Sequence, residues 1–267
     1  MKKIFLSGLI FISTLFISCE QPLGDEEIPY ELKIVVSGTL YPYQQVKDIY
    51  IGRTLPISYS YSEEFGALGD ANAVIECEGK YYPLKHTGKG LYANDTLTSE
   101  PGKRYVLIVS YENKLATAET KLPGAGVINK LSLALKDIGG VKENYVNAVI
   151  KPHDDEVYAV SWIFMLPNGF ISKEATEVPE VTGSRDHAAL TVNSAVIPHY
   201  LINSSRENLA VRIHIFDKQF RDYFITKPNS EITDQIYGQT RSNVKWNVKG
   251  DGIGLFIGKM ELVQRVK

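Results

Sequence analysis

Cysteine is the scarcest chemistry in this chain. With Cys19 and Cys77 alone among 267 residues, no disulfide framework can be assembled. Zinc motifs are missing too: His86, His153, His187, His199 and His214 fall in no HExxH or related spacing. There is no GxSxG elbow to raise a serine nucleophile, so a serine hydrolase has no local support. The glycine-rich run Gly250–Gly258 lacks the Lys-Ser/Thr ending of a phosphate loop and should lead into a strand. Basic excess is absent as well. Twenty-nine Lys and Arg stand against 31 Asp and Glu, leaving a net charge of −2 and no cationic stripe for nucleic acid. No second long apolar run, internal repeat or low-complexity tract follows the first twenty residues. Nothing in these patterns calls for a metal or a cofactor.

What is present begins at the N-terminus. Lys2 and Lys3 precede an apolar run from Ile4 to Ile17, closed by Ser18 and Cys19. Charge, apolar stretch and small residue in that order read as a secretory signal, too short for a typical membrane span. Leu15-Phe16-Ile17-Ser18-Cys19 resembles a bacterial lipobox, with Phe16 where leucine is usual. On that reading residues 1–18 are a lipoprotein signal peptide and Cys19 carries diacylglycerol, a membrane anchor. The alternative is a plain secretory signal with an incidental cysteine. Removing 18 of 267 residues leaves 249, and loss of Lys2 and Lys3 moves the net charge from −2 to −4. Residues 19–30 carry Asp25, Glu26 and Glu27 between Pro22 and Pro29 and read as a flexible acidic tether. The same acidic residues resemble a surface-export signal of Bacteroidota lipoproteins. One reading faces the protein outward from the outer membrane, the other leaves it in the periplasm.

From Glu31 onward the pattern is β. Leu32–Leu40, Asp48–Leu55, Ala73–Glu78, Lys80–Lys85, Gly90–Leu97, Arg104–Tyr111 and Leu115–Lys121 are short runs of Val, Ile, Tyr and Thr between turn residues. Seven such strands predict an immunoglobulin-like β-sandwich over 31–122. Tyr105–Tyr111, apolar on nearly both faces, should be central. Cys77 shares a face with Ala73 and Ile75 and should behave as a buried small hydrophobe. Pro123-Gly124-Ala125-Gly126 marks a boundary, and a second β-rich domain is expected over 127–267. Its strands read as Ile128–Lys136, Tyr145–Lys151, Val157–Leu166, Ala189–Val192, Leu209–Phe216 and Ile253–Val263. The alternation in Leu209–Phe216 predicts one wet face, and 168–186 reads as loop. Phe220, Tyr223, Phe224, Ile232, Ile236 and Tyr237 recur at helical spacing. They predict one or two short helices within 217–238, divided at Pro228, with Asp217 and Ser230 as N-caps.

Several segments, in order, resemble one family. They are Val36-Ser37-Gly38-Thr39-Leu40, Ile51–Ile57, Ala71–Ile75, Gly90-Leu91-Tyr92, Pro101–Tyr105, Asp154–Tyr158, Ser242-Asn243-Val244 and Gly250–Gly258. The order is similar to that of Bacteroidota lipoproteins carrying domain of unknown function 4249, across most of 31–263. Paired glycines usually follow the Ser-Asn step there, whereas Trp246–Lys249 intervene here before Gly250. The resemblance implies an outer-membrane lipoprotein, often encoded near TonB-dependent receptors, and assigns no activity.

For a site, 58–70 is the longest gap in the first unit and the expected functional loop. Tyr59, Tyr61 and Phe65 within it, together with Trp246, are the ligand-binding candidates, for a glycan or peptide; Trp162, in a strongly apolar strand, should be core. His153-Asp154-Asp155-Glu156 offers oxygen ligands without EF-hand spacing and reads as a solvated turn. Ser184-Arg185-Asp186-His187 reads as loop, since adjacency is not triad geometry. Asp95-Thr96-Leu97 resembles an O-glycosylation motif or a hairpin end. No catalytic residue is assigned. The expected function is a non-catalytic, lipid-anchored envelope protein, an accessory to a TonB-dependent outer-membrane transporter. A surface adhesin or structural subunit is the alternative, and a glycan hydrolase the third.

Overall fold

Period-two alternation builds this molecule. In Ile34, Val36 and Leu40, or Tyr105, Leu107 and Val109, every second side chain turns into a core. The computed structural model describes residues 30–56, 58–60, 62–153, 156–175, 182–183, 189–226 and 244–266. Within them the first unit contains β1 (Ile34–Leu40), β2 (Gln45–Arg53), β3 (Asn72–Cys77), β4 (Lys80–Pro83), β5 (Lys85–Gly88), β6 (Leu91–Thr98), β7 (Arg104–Tyr111) and β8 (Lys114–Lys121). Next come β9 (Val127–Ile138), β10 (Val141–Lys151), β11 (Glu156–Met165), β12 (Ile171–Glu174), β13 (Thr182–Gly183), β14 (Leu190–Asn193) and β15 (Leu209–Asp217). The chain closes with β16 (Val248–Gly250) and β17 (Gly252–Arg265). Short helices α1 (Glu63–Gly66), α2 (His199–Ser205) and α3 (Gln219–Thr226) interrupt the strands. The protein is thus mainly β: an N-terminal immunoglobulin-like sandwich followed by a second β-rich unit with a short helix where the 217–238 spacing places one. Pro228, Ser230 and the second expected helix lie outside the described residues.

One sheet runs through both units. Its order is β12-β11-β15-β17-β1-β2-β6-β5. A five-stranded sheet, β16-β8-β7-β3-β4, covers one half of it, and a three-stranded sheet, β14-β10-β9, covers the other. As the apolar Tyr105–Tyr111 run predicts, β7 is the middle strand of five. The hinge of the architecture is β17. Its Gly252–Gly258 half lies parallel to β1, from Ile34↔Gly252 to Leu40↔Gly258, and its Lys259–Arg265 half lies antiparallel to β15. Residues 248–258, expected in the C-terminal domain, therefore complete the N-terminal sandwich. A strand's own pattern reports which face is buried, not which neighbour it pairs with. Close approach is what the glycines supply: Gly254 has φ 122, and a Cβ there would collide with the Val36 carbonyl.

Other expectations need correction. Lys80–Lys85 is two strands in two different sheets, because buried Leu84 donates its N–H to the Ala73 carbonyl (2.8 Å) and turns the chain across. The expected 168–186 loop contains β12 and β13, with β12 returning on β11 through a turn at Gly169 (φ 84). Helix α2 was not marked by any periodic run. The boundary at 123–126 is locked rather than loose. Gly124 N–H donates to Glu156 Oε1 (2.7 Å), the Ala125 carbonyl meets His153 Nε2 (3.1 Å), and Tyr158 hydroxyl donates to Glu156 Oε2 (2.6 Å). Glu156 is buried, so the expected solvated turn is an anchor at that end; Asp154 and Asp155 lie outside the described residues.

Three cores result. Ile34, Ile51, Ile75, Tyr92, Tyr105 and Phe256 fill the first, with Cys77 buried among them as a free thiol. Val146, Ile150, Tyr158, Trp162, Phe164 and Ile213 fill the second, and Trp162 Nε1 is satisfied by the Val196 carbonyl (3.1 Å). A third, smaller cluster lies on the opposite face of the long sheet. There α3 lays Phe220 and Phe224 over Val157, Ala159, Phe216, Leu255 and Ile257.

Candidate functional site

Among the described residues, Trp246 does not meet Tyr59 or Phe65. Phe65 sits exposed on α1, capped by Ser62 and held by Arg53 Nε to its carbonyl (3.0 Å), level with Ile34 at the start of β1. Tyr59 is exposed in the same loop. Trp246 lies beside Asn247, whose side-chain amide brackets Phe256, level with Gly38 farther along β1. Trp246 is partly exposed and leans on Tyr223 of α3, rings 5.5 Å apart. Tyr61, Ser184–His187 and Cys19 lie outside the described residues. In β6, Thr96 is exposed and binds Asn94 Oδ1 through N–H and hydroxyl (both 2.9 Å), so Asp95-Thr96-Leu97 lies within a strand rather than at a hairpin end.

Two buried arrangements have the look of chemistry. Glu156 and Asp217 are direct cross-strand partners and line one cavity of about 150 Å³ at the junction of the two units. Both are consumed by the fold. Beyond the two bonds to Glu156, Asp217 Oδ2 accepts from Thr120 hydroxyl (2.7 Å) and Lys121 N–H (2.9 Å), and its Oδ1 from Gln219 N–H (3.3 Å), as the predicted N-cap. A glycosidase pair needs one oxygen free to give a proton and another free to attack or to activate water; here donors of the fold occupy every oxygen.

The second arrangement crosses β11, β15 and β17. Ser161 Oγ lies 2.9 Å from His214 Nε2, and His214 Nδ1 lies 3.3 Å from Glu261 Oε1, off the line a hydrogen bond needs. Lys259 (2.6 Å) and, at 3.7 Å, Arg212 also reach Glu261. The His214 imidazole beside it, with Lys259, pulls the Glu261 carboxyl down to about 2. The order is that of a nucleophile, base and acid, but Ser161 is 3% exposed in mid-strand. An acyl-transfer serine needs an open approach and backbone donors pointed at an oxyanion, and a serine buried on a paired strand offers no such approach. This also corrects the expected wet face of β15: His214 and Phe216 are buried, the ring of Phe216 stacked on Phe220 at 4.0 Å. Among the described residues no group of three His, Cys, Asp or Glu side chains is placed to hold a metal.

An open, built site stands instead at the β1–β2 connection. Tyr41-Pro42-Tyr43-Gln44 makes a turn, with Gln44 N–H to the Tyr41 carbonyl (3.3 Å) and Tyr43 at φ 61. Pro at the second place and positive φ at the third define type II, which ordinarily requires Gly or Asn where Tyr43 stands. Ser99, buried, clamps the turn. Its N–H donates to the Gln44 carbonyl (2.9 Å), its carbonyl accepts from Tyr43 N–H (2.7 Å), and its hydroxyl reaches the Tyr41 carbonyl (2.5 Å). Below the turn, Lys47 and Asp48 both fit between Val46↔Asn94 and Ile49↔Tyr92, where β6 has only Ala93. That bulge puts Asp48 at φ 57. Ser37, Gly38, Thr39, Tyr41, Gln44, Gln45, Lys47 and Asp48 line the resulting groove, about 250 Å³. Tyr43 stands beside it 72% exposed. None of these residues belongs to the loop expected to be functional. The readable signal was Tyr-Pro-Tyr-Gln-Gln at 41–45, but its meaning depends on a turn type that sequence does not display.

Compared with known proteins, the chain has no match among curated ones. The family of the domain of unknown function DUF4249 matches residues 20–265. The chain belongs to that family.

Proposed function

We infer that this is a non-catalytic binding protein of the cell envelope, held at the outer membrane by lipid on Cys19. It presents its ligand surface as an accessory to a TonB-dependent transporter. The address rests on the lipobox and acidic tether; multiple acyl chains make such an anchor stable rather than reversible. The binding role rests on one observation above all: a left-handed, exposed Tyr43 clamped by buried Ser99 over an open polar groove. Strain kept at an exposed position is characteristic of ligand sites. Glu156, Asp217 and Ser161 are engaged in holding strands together, so these three lend no support to the glycan-hydrolase reading. The test is a mild-detergent pull-down of tagged protein from native outer membranes beside Cys19→Ala. A transporter that co-purifies with the lipidated form only is the expected result; recovery of the protein alone would end the accessory reading.

The adhesin or structural-subunit alternative has one observation in its favour. Strand β9, twelve residues long, ends its sheet, with Leu131 and Leu133 only half-buried along it. Free strand edges invite strand addition. Light scattering of the purified protein over a wide concentration range separates the two, since a subunit would polymerise and an accessory would not.

A further inference from the structure

We propose that the β1–β2 groove is a binding site for a neutral pyranose unit of a polysaccharide. This deepens the binding-protein reading and rests on it. The chemistry of the lining selects the class. Hydroxyls of Ser37 and Thr39 and the amide of Gln44 offer donors and acceptors, as a polyol needs, while Gln45 Nε2 is held by the Asp95 carbonyl (2.7 Å). Lys47 and Asp48 cancel in charge, so neither an anionic nor a cationic ligand is favoured. Tyr41 in the wall supplies a ring against which the C–H face of a sugar packs, and exposed Tyr43 stands two residues on in the same turn.

The backbone singles out the same place. Among the described residues, five non-glycine residues have positive φ: Tyr43, Asp48, Glu78, Lys89 and Glu112. The last three sit in two-residue hairpin loops, between Cys77↔Lys80, Gly88↔Leu91 and Tyr111↔Lys114, where tight turns impose that conformation. Tyr43 stands instead in the four-residue turn between β1 and β2 and Asp48 in the β2 bulge, and the two adjoin one groove. Glycine would relieve both positions. Retaining a ring at one and a carboxylate at the other is what a ligand would require.

That conflict gives the test its power. The full mature chain is titrated calorimetrically with gluco-, manno-, galacto- and xylo-configured neutral hexasaccharides, with heparin hexasaccharide as charged control. At least one neutral member should bind, and Tyr43→Gly and Asp48→Gly should each weaken it about tenfold or more while leaving the melting temperature unchanged or higher. Phe65→Ala, on the distant loop, should stay within about twofold of the parent. No binding at millimolar concentration, binding untouched by both glycine variants, or preference for heparin would overturn the proposal. If the panel is blank but a partner still co-purifies from native membranes, the saccharide falls and the accessory reading survives. If neither binds, both fall.

Discussion

Tyr43 and Gly254 show the same backbone region used for opposite ends. At Gly254 the left-handed φ lets β17 approach Val36 with no side chain between them. Gly254→Ala should therefore cost more than about 3 kcal/mol, read by chemical denaturation. At Tyr43 a side chain is retained against the local preference, so the substitution toward glycine should leave stability intact. Cys77 behaves as its alternation with Ala73 and Ile75 foretells: buried, with burial pushing its thiol up. It should resist thiol reagents in the native protein and react on unfolding; native reactivity would contradict its place in the core. Glu261 carries the clearest pH dependence. Its folded pKa of about 2 lies below the ordinary 4.5, so its contribution is complete above 4.5 and is lost as pH falls towards 2. Melting temperatures over that window should fall, and fall less steeply in Glu261→Gln. The carboxylate keeps contact with solvent, so the size of the effect is reduced by screening.

At the scale of elements, helix α3 was readable because Phe220, Tyr223 and Phe224 repeat at three and four, and Asp217 was readable as its cap. What that helix covers was not readable. Phe220 packs on Phe216 of β15 and on the outer face of the long sheet, and Asp217 reaches back to Thr120 and Lys121 of β8. Phe220→Ala should destabilise by about 2 kcal/mol, the lower end for a large core truncation because the ring is only half-buried. Asp217→Ala removes three hydrogen bonds and leaves buried donors unmet, costing about 2–3 kcal/mol. Urea unfolding of both variants checks these values, and a change below about 0.5 kcal/mol in either would contradict the packing or hydrogen bonding assigned to that residue. Hairpins were legible where a two-residue turn is written in Gly or Asn, as at Glu78-Gly79. The break between β4 and β5 was not, because burial of Leu84 between two sheets depends on partners distant in sequence.

For the whole molecule, β17 decides cooperativity. A fragment ending at residue 122 lacks Phe256 and the parallel neighbour of β1, and should give no cooperative melt. The full chain should unfold in one transition by calorimetry, and two separate transitions would show that the units are energetically independent. Alternation fixed the β class, most strand positions, the burial of Trp162 and the helix after β15, because each follows from local period and side-chain size. The expected anchor rests on the lipobox-like run before Cys19, a linear pattern that needs no tertiary structure to be read. Pairing of the last strand with the first, consumption of Glu156 and Asp217, and the groove beneath Tyr43 were decided only in three dimensions. Each depends on backbone groups that identical sequence patterns would present in any register, and it is the tertiary structure that chooses the partner.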